Sequence, residues 1–481
     1  MSEAKNINAH ADGYDIDKLL LDFIMLRDES RLVEAAVIGD QLTKLVPNSP
    51  TLLLDYGRIL RRLGMLDKAA ASFRNSAALN PDMFISILFL GHTILDQCKW
   101  HEAWQKAGFQ RKPWSTKGLC DDPDVLASAD ANTLVTELYN LGLDLGNAGY
   151  FKESAACHQA VVRCCPEIVH AYFGFASMLL ALGQFRNALP VLREWNERSR
   201  RNLNAAYWYG EDITVKTLYI YADHGLGDAM QFIRFVPLAA TRCRKVLFYL
   251  PRALWKIVGE IPNVEFITEI NQPFDVMCSL FMLPHVVGID EPSLGSMVPY
   301  LSVDPALVAR WGQRLPKDGF RIGIAWQGNP SSLFDQGRSI PLACYAPLAQ
   351  LPGVKLVSLQ MHFGLDQLAS LPEGMTIITL GSDFNNGPDN VVDTAAVMKG
   401  LDLIISSDTS VPHIAGALSC PVWVLLKSAP DWRWQLERED CPWYPTMRLF
   451  RQKEAGEWGE VMTRVVNAVV ERMAGAPHAN R

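Results

Sequence analysis

Apolar positions change their spacing once along this chain. From residue 16 to about 202 they recur at helical intervals, and from 203 they gather into runs of four to six residues bounded by glycine, proline and polar turns. Within the helical part Pro47 and Pro81 stand 34 residues apart, and Leu53, Gly57, Leu60, Ala69 and Phe73 lie between them at the offsets of a helix-turn-helix repeat. Gly91 and Ala103 repeat the spacing of Gly57 and Ala69. Gly142 and Pro166 repeat that of Gly57 and Pro81, and Ala176 and Ala188 continue the series.

On these residues the segment resembles tetratricopeptide repeats, with about five units over residues 16–202 and a domain of 12–202. Residues 111–134, RKPWSTKGLCDDPDVLASADANTL, break the phase and are expected to form an irregular insertion. The glycines and alanines serve packing, because small side chains let paired helices approach. A stack of such pairs presents a concave groove suited to a protein segment.

The runs after 203 predict strands at 217–222, 245–250, 264–267 and 276–280. After a break at Pro299 to Pro316, further strands are predicted at 321–326, 355–359, 376–380, 402–406 and 422–426. Two successive groups of parallel strands alternating with helices imply two Rossmann-like α/β domains, 203–315 and 316–475, with ligands at the carboxyl ends of the strands.

Most of the chemistry-bearing motifs fall at those ends. In YADHGLGDAMQF, Gly225 and Gly227 permit a tight turn and close ligand approach. Asp228 is either a charge favoured by the helix dipole or a general base, and His224 either a loop residue or a substrate contact. GIAWQGNP and the following GRSIPL supply Gln327, Asn329 and Arg338, which suit hydrogen bonds to a ligand and charge neutralisation of a phosphate. Turn formation is the simpler role for Asn329. Gln360 ends a strand, and Asp393 either caps a helix or faces the cleft. In SDTSVPHIAGAL, Asp408, Thr409 and Ser410 precede a helix with Pro412 in its first turn; the hydroxyls either cap that helix or bind phosphate beside its free N–H groups. Arg433 lies among Trp432, Trp434 and Trp443, which packing accounts for more readily than it accounts for the arginine.

The 481 residues suffice for about three domains, and 49% hydrophobic with 20% charged residues is a soluble globular composition. A net charge of −7 provides no general attraction for nucleic acid or anionic membrane, so any phosphate site must be local. The polar N-terminus and the lack of an 18-residue apolar run point to a cytoplasmic protein without a membrane segment. Ten scattered cysteines read as reduced core thiols. The Asp-x-Asp pairs, Asp15 with Asp17 and Asp122 with Asp124, lie in the repeat half, where capping and turn formation explain them.

Taken in order, HGLGD, AWQGNP, RSIPL, SLQ, DTAA, DTSVPHIAGAL, PDWRW and WYP resemble bacterial glycosyltransferases that carry tetratricopeptide repeats. Their transferase half is heptosyltransferase-like, of GT-B fold, and their layout is similar to that of flagellin glycosyltransferases and O-GlcNAc transferases. The resemblance implies a metal-independent enzyme that uses a nucleotide sugar as substrate, without a cofactor, and glycosylates a protein held by the repeats. It implies Asp228 as catalytic base, and Thr409, Ser410 and His413 as the nucleotide-phosphate loop. No lysine matches the family's own, so the cation facing the leaving phosphate is left between Arg338 and Arg433. Two other functions fit the same sequence, an inactive repeat scaffold and a lipopolysaccharide sugar transferase.

Overall fold

The computed structural model describes residues 15–99, 131–199, 205–222, 225–288, 297–331, 335, 337–384 and 390–475. They form two compact units, one of helices up to Val191 and one from Leu192 onward.

The first unit contains α1 (Ile16–Asp28), α2 (Leu32–Leu45), α3 (Pro50–Arg62), α4 (Leu66–Leu79), α5 (Phe84–Gln97), α6 (Ala131–Asn147), α7 (Phe151–Cys164) and α8 (Val169–Ala181), and the start of α9 (Phe185–Arg198). The sequence accounts for α3 in detail. Ser49 caps it by accepting from the Leu52 N–H, Pro50 occupies a position that needs no donor, and Leu52, Leu53, Tyr56, Ile59 and Leu60 form one buried stripe. The repeat glycines mark close approaches, since a β-carbon on Gly57 would lie 2.5 Å from the Phe73 ring and one on Gly91 2.5 Å from Leu141. Ala69, Ala176 and Ala188 are fully buried. This is the packing that the 34-residue period requires. Asp15 caps α1 through the Lys18 N–H. Ala103, Asp122, Asp124 and residues 111–130 of the expected insertion lie outside the described residues, and 131–134 open α6.

The second unit holds two all-parallel sheets. In the first, β1 (Ala206–Tyr207), β2 (Ile213–Tyr221), β3 (Cys243–Tyr249), β4 (Val264–Ile267) and β5 (Val276–Ser279) lie in the order β1-β5-β2-β3-β4. The second contains β6 (Phe320–Ala325), β7 (Val354–Ser358), β8 (Ile377–Ile378), β9 (Leu403–Ser407), β10 (Val422–Leu426) and β11 (Met447–Arg451), ordered β11-β10-β9-β6-β7-β8. The chain is thus an α solenoid followed by a GT-B-type pair of Rossmann-like domains. β1 and β11 add to the strands expected from sequence, and the expected strand 376–380 shrinks to two residues.

Both sheets reverse direction at their first long strand. From β2 the chain winds to β3 and β4 on one side and returns to β5 on the other; from β6 it winds to β7 and β8 and returns to β9. Such reversal points open crevices at the carboxyl ends of the strands. The loop after β2 leads into α10 (Leu226–Phe232), and the loop after β9 into α12 (Ser410–Ala417), which follows α11 (Asn390–Met398). The last helix, α13 (Trp458–Gly475), lays Val461, Val465 and Val469 into the core beneath the second sheet. Among the described residues no helix is long and apolar enough to cross a membrane.

Candidate functional site

The motifs of the two sheets meet where α10 and α12 begin. A β-carbon on Gly227 would lie 3.0 Å from His413 Cδ2 and 3.6 Å from the Ser410 Cα, so the two first turns touch. Sequence reasoning assigned Gly225 and Gly227 to a tight turn and close ligand approach. Neither adopts positive φ, and Gly227 makes room for a histidine. His413 has little freedom to yield. Its Nδ1 lies 3.0 Å from the Tyr444 hydroxyl, and its ring stacks on Trp434 at 5.3 Å. Burial, followed by the charges of Arg433 and Arg234, pushes its pKa far below the usual histidine value, leaving a neutral imidazole. Gly227→Ala should therefore destabilise the second unit by about 1 to 3 kcal/mol, the cost of overpacking a rigid contact, read as a lowered midpoint in chemical denaturation.

Asp228 and Arg433 join the halves. One Asp228 carboxylate oxygen accepts the Gly225 N–H at 2.9 Å, closing the start of α10, and the other pairs with Arg433 Nη2. The arginine is 8% exposed and also donates from Nε to Gln231 Oε1 at 2.6 Å and from Nη1 to Asp431 at 2.8 Å. Trp432 lies 4.4 Å from the guanidinium, and the Trp443 indole donates to the Arg433 carbonyl. Burial opposes the Arg433 charge, but Asp431 and Asp228 outweigh it and hold the pKa above the ordinary arginine value. The arginine is explained by these carboxylates and the tryptophans by packing around it. His224 lies outside the described residues.

At the end of β9, Thr409 caps α12 by accepting the Val411 N–H at 3.4 Å, so its hydroxyl takes the capping role; Ser410 is the first residue of the helix. Asp408, just before them, keeps some solvent exposure, yet protein crowds its carboxyl. Burial and then the Asp431 charge raise its pKa to about 6, against the pull of Arg338, the Trp434 indole and Arg433. The strand before it ends in Ser407, whose hydroxyl is fully buried without a hydrogen-bond partner.

Around β6 the candidates separate. Arg338 pairs with Asp335 at 3.2 Å, and Asp335 also accepts from the Ser339 hydroxyl. Gln360 is hydrogen-bonded within the protein at both ends of its amide. Its Oε1 accepts the Trp326 and Gln327 N–H groups, and its Nε2 donates to the Gln327 and Phe363 carbonyls, which uses the whole amide to brace the two loops. The Gln327 side chain accepts from Gln367 Nε2. Asn329 is exposed and forms the turn expected of it, accepting the Ser331 N–H. Asp393 accepts from the Trp311 indole at 2.8 Å.

Sequence reasoning missed Lys427, directly after the apolar run of β10. Its pKa is lowered to about 8 by burial and by Arg338, with Asp408, Asp431 and Asp335 pulling the other way. Arg338, Asp408, Asp431 and Asp335 thus lie within electrostatic reach of it. Only its position at a strand's carboxyl end beside the DTS loop could have revealed it.

No family model matches the chain. It is similar to the protein FlbA of Caulobacter vibrioides, 25% identical over 478 residues spanning 88% of this chain and 79% of that protein. Among solved structures it is similar to ADP-heptose lipopolysaccharide heptosyltransferase II of E. coli, with 15% identity and a TM-score of 0.38 over 54% of this chain and 100% of that one. A glycosyl transferase family 9 protein of Veillonella parvula gives 11% identity and a TM-score of 0.36 over 53% and 91%. A MamA protein gives 15% and 0.20 over 38% and 91%.

Proposed function

We propose that this protein is a glycosyltransferase of the cytoplasm that moves a sugar from a nucleotide-sugar donor to hydroxyls of a protein bound by the repeats, flagellin being the acceptor to test first. The observation that carries the reading is the contact of Gly227, next to the Asp228 carboxylate at the reversal point of one sheet, with Ser410 and His413 in the first turn of the helix at the reversal point of the other. A carboxylate on one wall and helix N–H groups with cations on the other match the needs of sugar transfer, which are deprotonation of an acceptor hydroxyl and stabilisation of a departing phosphate. Arg338, Arg433 and Lys427 are cations of this site, Arg338 paired with Asp335 and Arg433 with Asp228 and Asp431. Metal independence is part of the proposal, with those cations and the helix N–H groups as the charges that would face the phosphate.

The test has two stages. A melting-temperature panel of UDP-, GDP-, ADP- and CMP-sugars should single out a donor, since a ligand that binds only the folded state raises the transition. Transfer of the labelled sugar to purified flagellin then decides the reaction. A stabilising donor with no transfer to any offered protein favours the scaffold reading, and transfer to lipopolysaccharide cores favours the other. Replacing Thr409 and Ser410 together by alanine should weaken donor binding by about 1 to 3 kcal/mol in calorimetry; an unchanged affinity in the folded double variant removes them from the phosphate site.

A further inference from the structure

A chain of hydrogen bonds running from Arg234 to His413 fixes which way its protons point. The Tyr300 hydroxyl donates to the Met230 carbonyl at 2.7 Å and accepts from Arg234 Nη2 at 2.9 Å. A phenol has one proton, so Tyr300 has none left for the Tyr444 hydroxyl, 3.4 Å away. Tyr444 therefore has two acceptors to choose from, the Tyr300 oxygen at 3.4 Å and His413 Nδ1 at 3.0 Å. Distance favours the imidazole, because the contact to Tyr300 is long for an O–H donor. Charge favours it too. The Tyr300 oxygen already faces the Arg234 cation, which also lies 4.6 Å from the centre of the Tyr444 ring, so a second proton aimed at that oxygen would meet like charge. His413 is held neutral by burial and by the charges of Arg433 and Arg234, and accepting at Nδ1 leaves its single proton on Nε2.

That nitrogen is unused. Among the described residues His413 Nε2 has no hydrogen-bond partner, and unlike Nε1 of the Trp434 ring stacked on it, it is not sealed from solvent, although the residue is only 4% exposed. Helical side chains lean towards the N-terminus of their helix, so an imidazole on the fourth residue of α12 overhangs the first turn and its free N–H groups. Its Nε2 lies 3.6 Å from the β-carbon position of Gly227, which is equally close to the Ser410 Cα. We infer that Tyr444 is a positioning residue for sugar transfer: its phenol donates to His413 Nδ1, holds the imidazole in the Nε2–H form and so aims a neutral N–H at the donor's phosphate over the open end of α12. The ligand is the donor of the proposed function, so the phosphate contact rests on that reading. The direction of the Tyr444 proton does not. A neutral donor of this kind adds a hydrogen bond to a charged group without placing another cation beside Arg433.

The experiment is heteronuclear NMR of the full chain at neutral pH, isotopically labelled at the histidine ring nitrogens. The His413 signals are assigned by their absence from His413→Gln and by their contact with the Trp434 ring. Nε2 should carry the proton and Nδ1 should show the shift of a hydrogen-bonded nitrogen without one; a proton on Nδ1 overturns the inference. Tyr444→Phe keeps the ring that packs on Gly416 and removes only the hydroxyl. In that variant the two nitrogen shifts should move towards each other as the Nδ1–H form becomes populated. Kd for whichever of the UDP-, GDP-, ADP- or CMP-sugars stabilises the protein should rise about two- to fivefold, because only the Nε2–H fraction is competent. A phenol that serves packing alone would lower the melting temperature without moving these shifts, so unmoved shifts in the folded variant remove Tyr444 from the role. Adding the sugar nucleotide to the wild-type protein should displace the Nε2–H proton signal, and a signal that stays in place while the ligand binds overturns the phosphate contact. If none of the four sugar nucleotides binds, the proposed function and the phosphate contact fall together, while the spectrum of the free protein still decides the direction of the Tyr444 proton.

Discussion

Asp228→Asn should lower turnover by about 10² to 10⁴-fold and leave donor affinity nearly unchanged, the range expected for removing a general base. Asparagine keeps an oxygen that can accept the Gly225 N–H, so the start of α10 should survive. What it loses is the proton acceptor and the charge opposite Arg433. Turnover at the wild-type rate on the chosen acceptor would exclude the role. A matching loss of donor binding would instead make Asp228 a structural link to the arginine.

Arg433→Met should be the most destabilising single change in the second unit, by about 2 to 4 kcal/mol. Methionine fills the stem's space between Trp432 and Phe232, yet Asp228, Asp431 and the Gln231 side-chain Oε1 lose the group that satisfies them. The discount below the full cost of breaking a buried pair reflects the partial exposure of both carboxylates, 24% and 33%. Chemical denaturation followed by tryptophan fluorescence measures it, since Trp432, Trp434 and Trp443 surround the site. An unchanged midpoint would mean that water compensates the carboxylates fully.

The repeat period was legible because Gly57, Gly91 and the alanines mark contacts that tolerate no larger side chain, a constraint that composition records directly. Strands β9 and β10 were legible as well, since burial on both faces leaves an uninterrupted apolar run. β11 was not, because MRLFR begins and ends near charges and reads as an exposed segment until β10 pairs with it. The motifs announced which loops reach the strand ends. They could not announce that Asp228 spends one oxygen on its own helix and the other on Arg433, a residue 205 positions away. Gln360 shows the same limit: an amide at a strand end suits a ligand or a neighbouring loop equally, and only the positions of Trp326 and Phe363 decide. Lys427 was hidden because a lysine after an apolar run ordinarily marks nothing more than the return to solvent.

The contact between Gly227 and His413 bears on how such proteins can be recombined. GT-B halves look like exchangeable cassettes, one for acceptor and one for donor. Here the first turn of the helix after β2 is moulded around an imidazole of the helix after β9, itself fixed by Trp434 and Tyr444, and Arg234 reaches from the first half to the Trp443 carbonyl. A chimera that swaps one half for a relative's must carry Gly227, Arg234, His413, Trp434 and Tyr444 as a single set. Exchange of either half alone therefore breaks this contact unless those five residues travel with it.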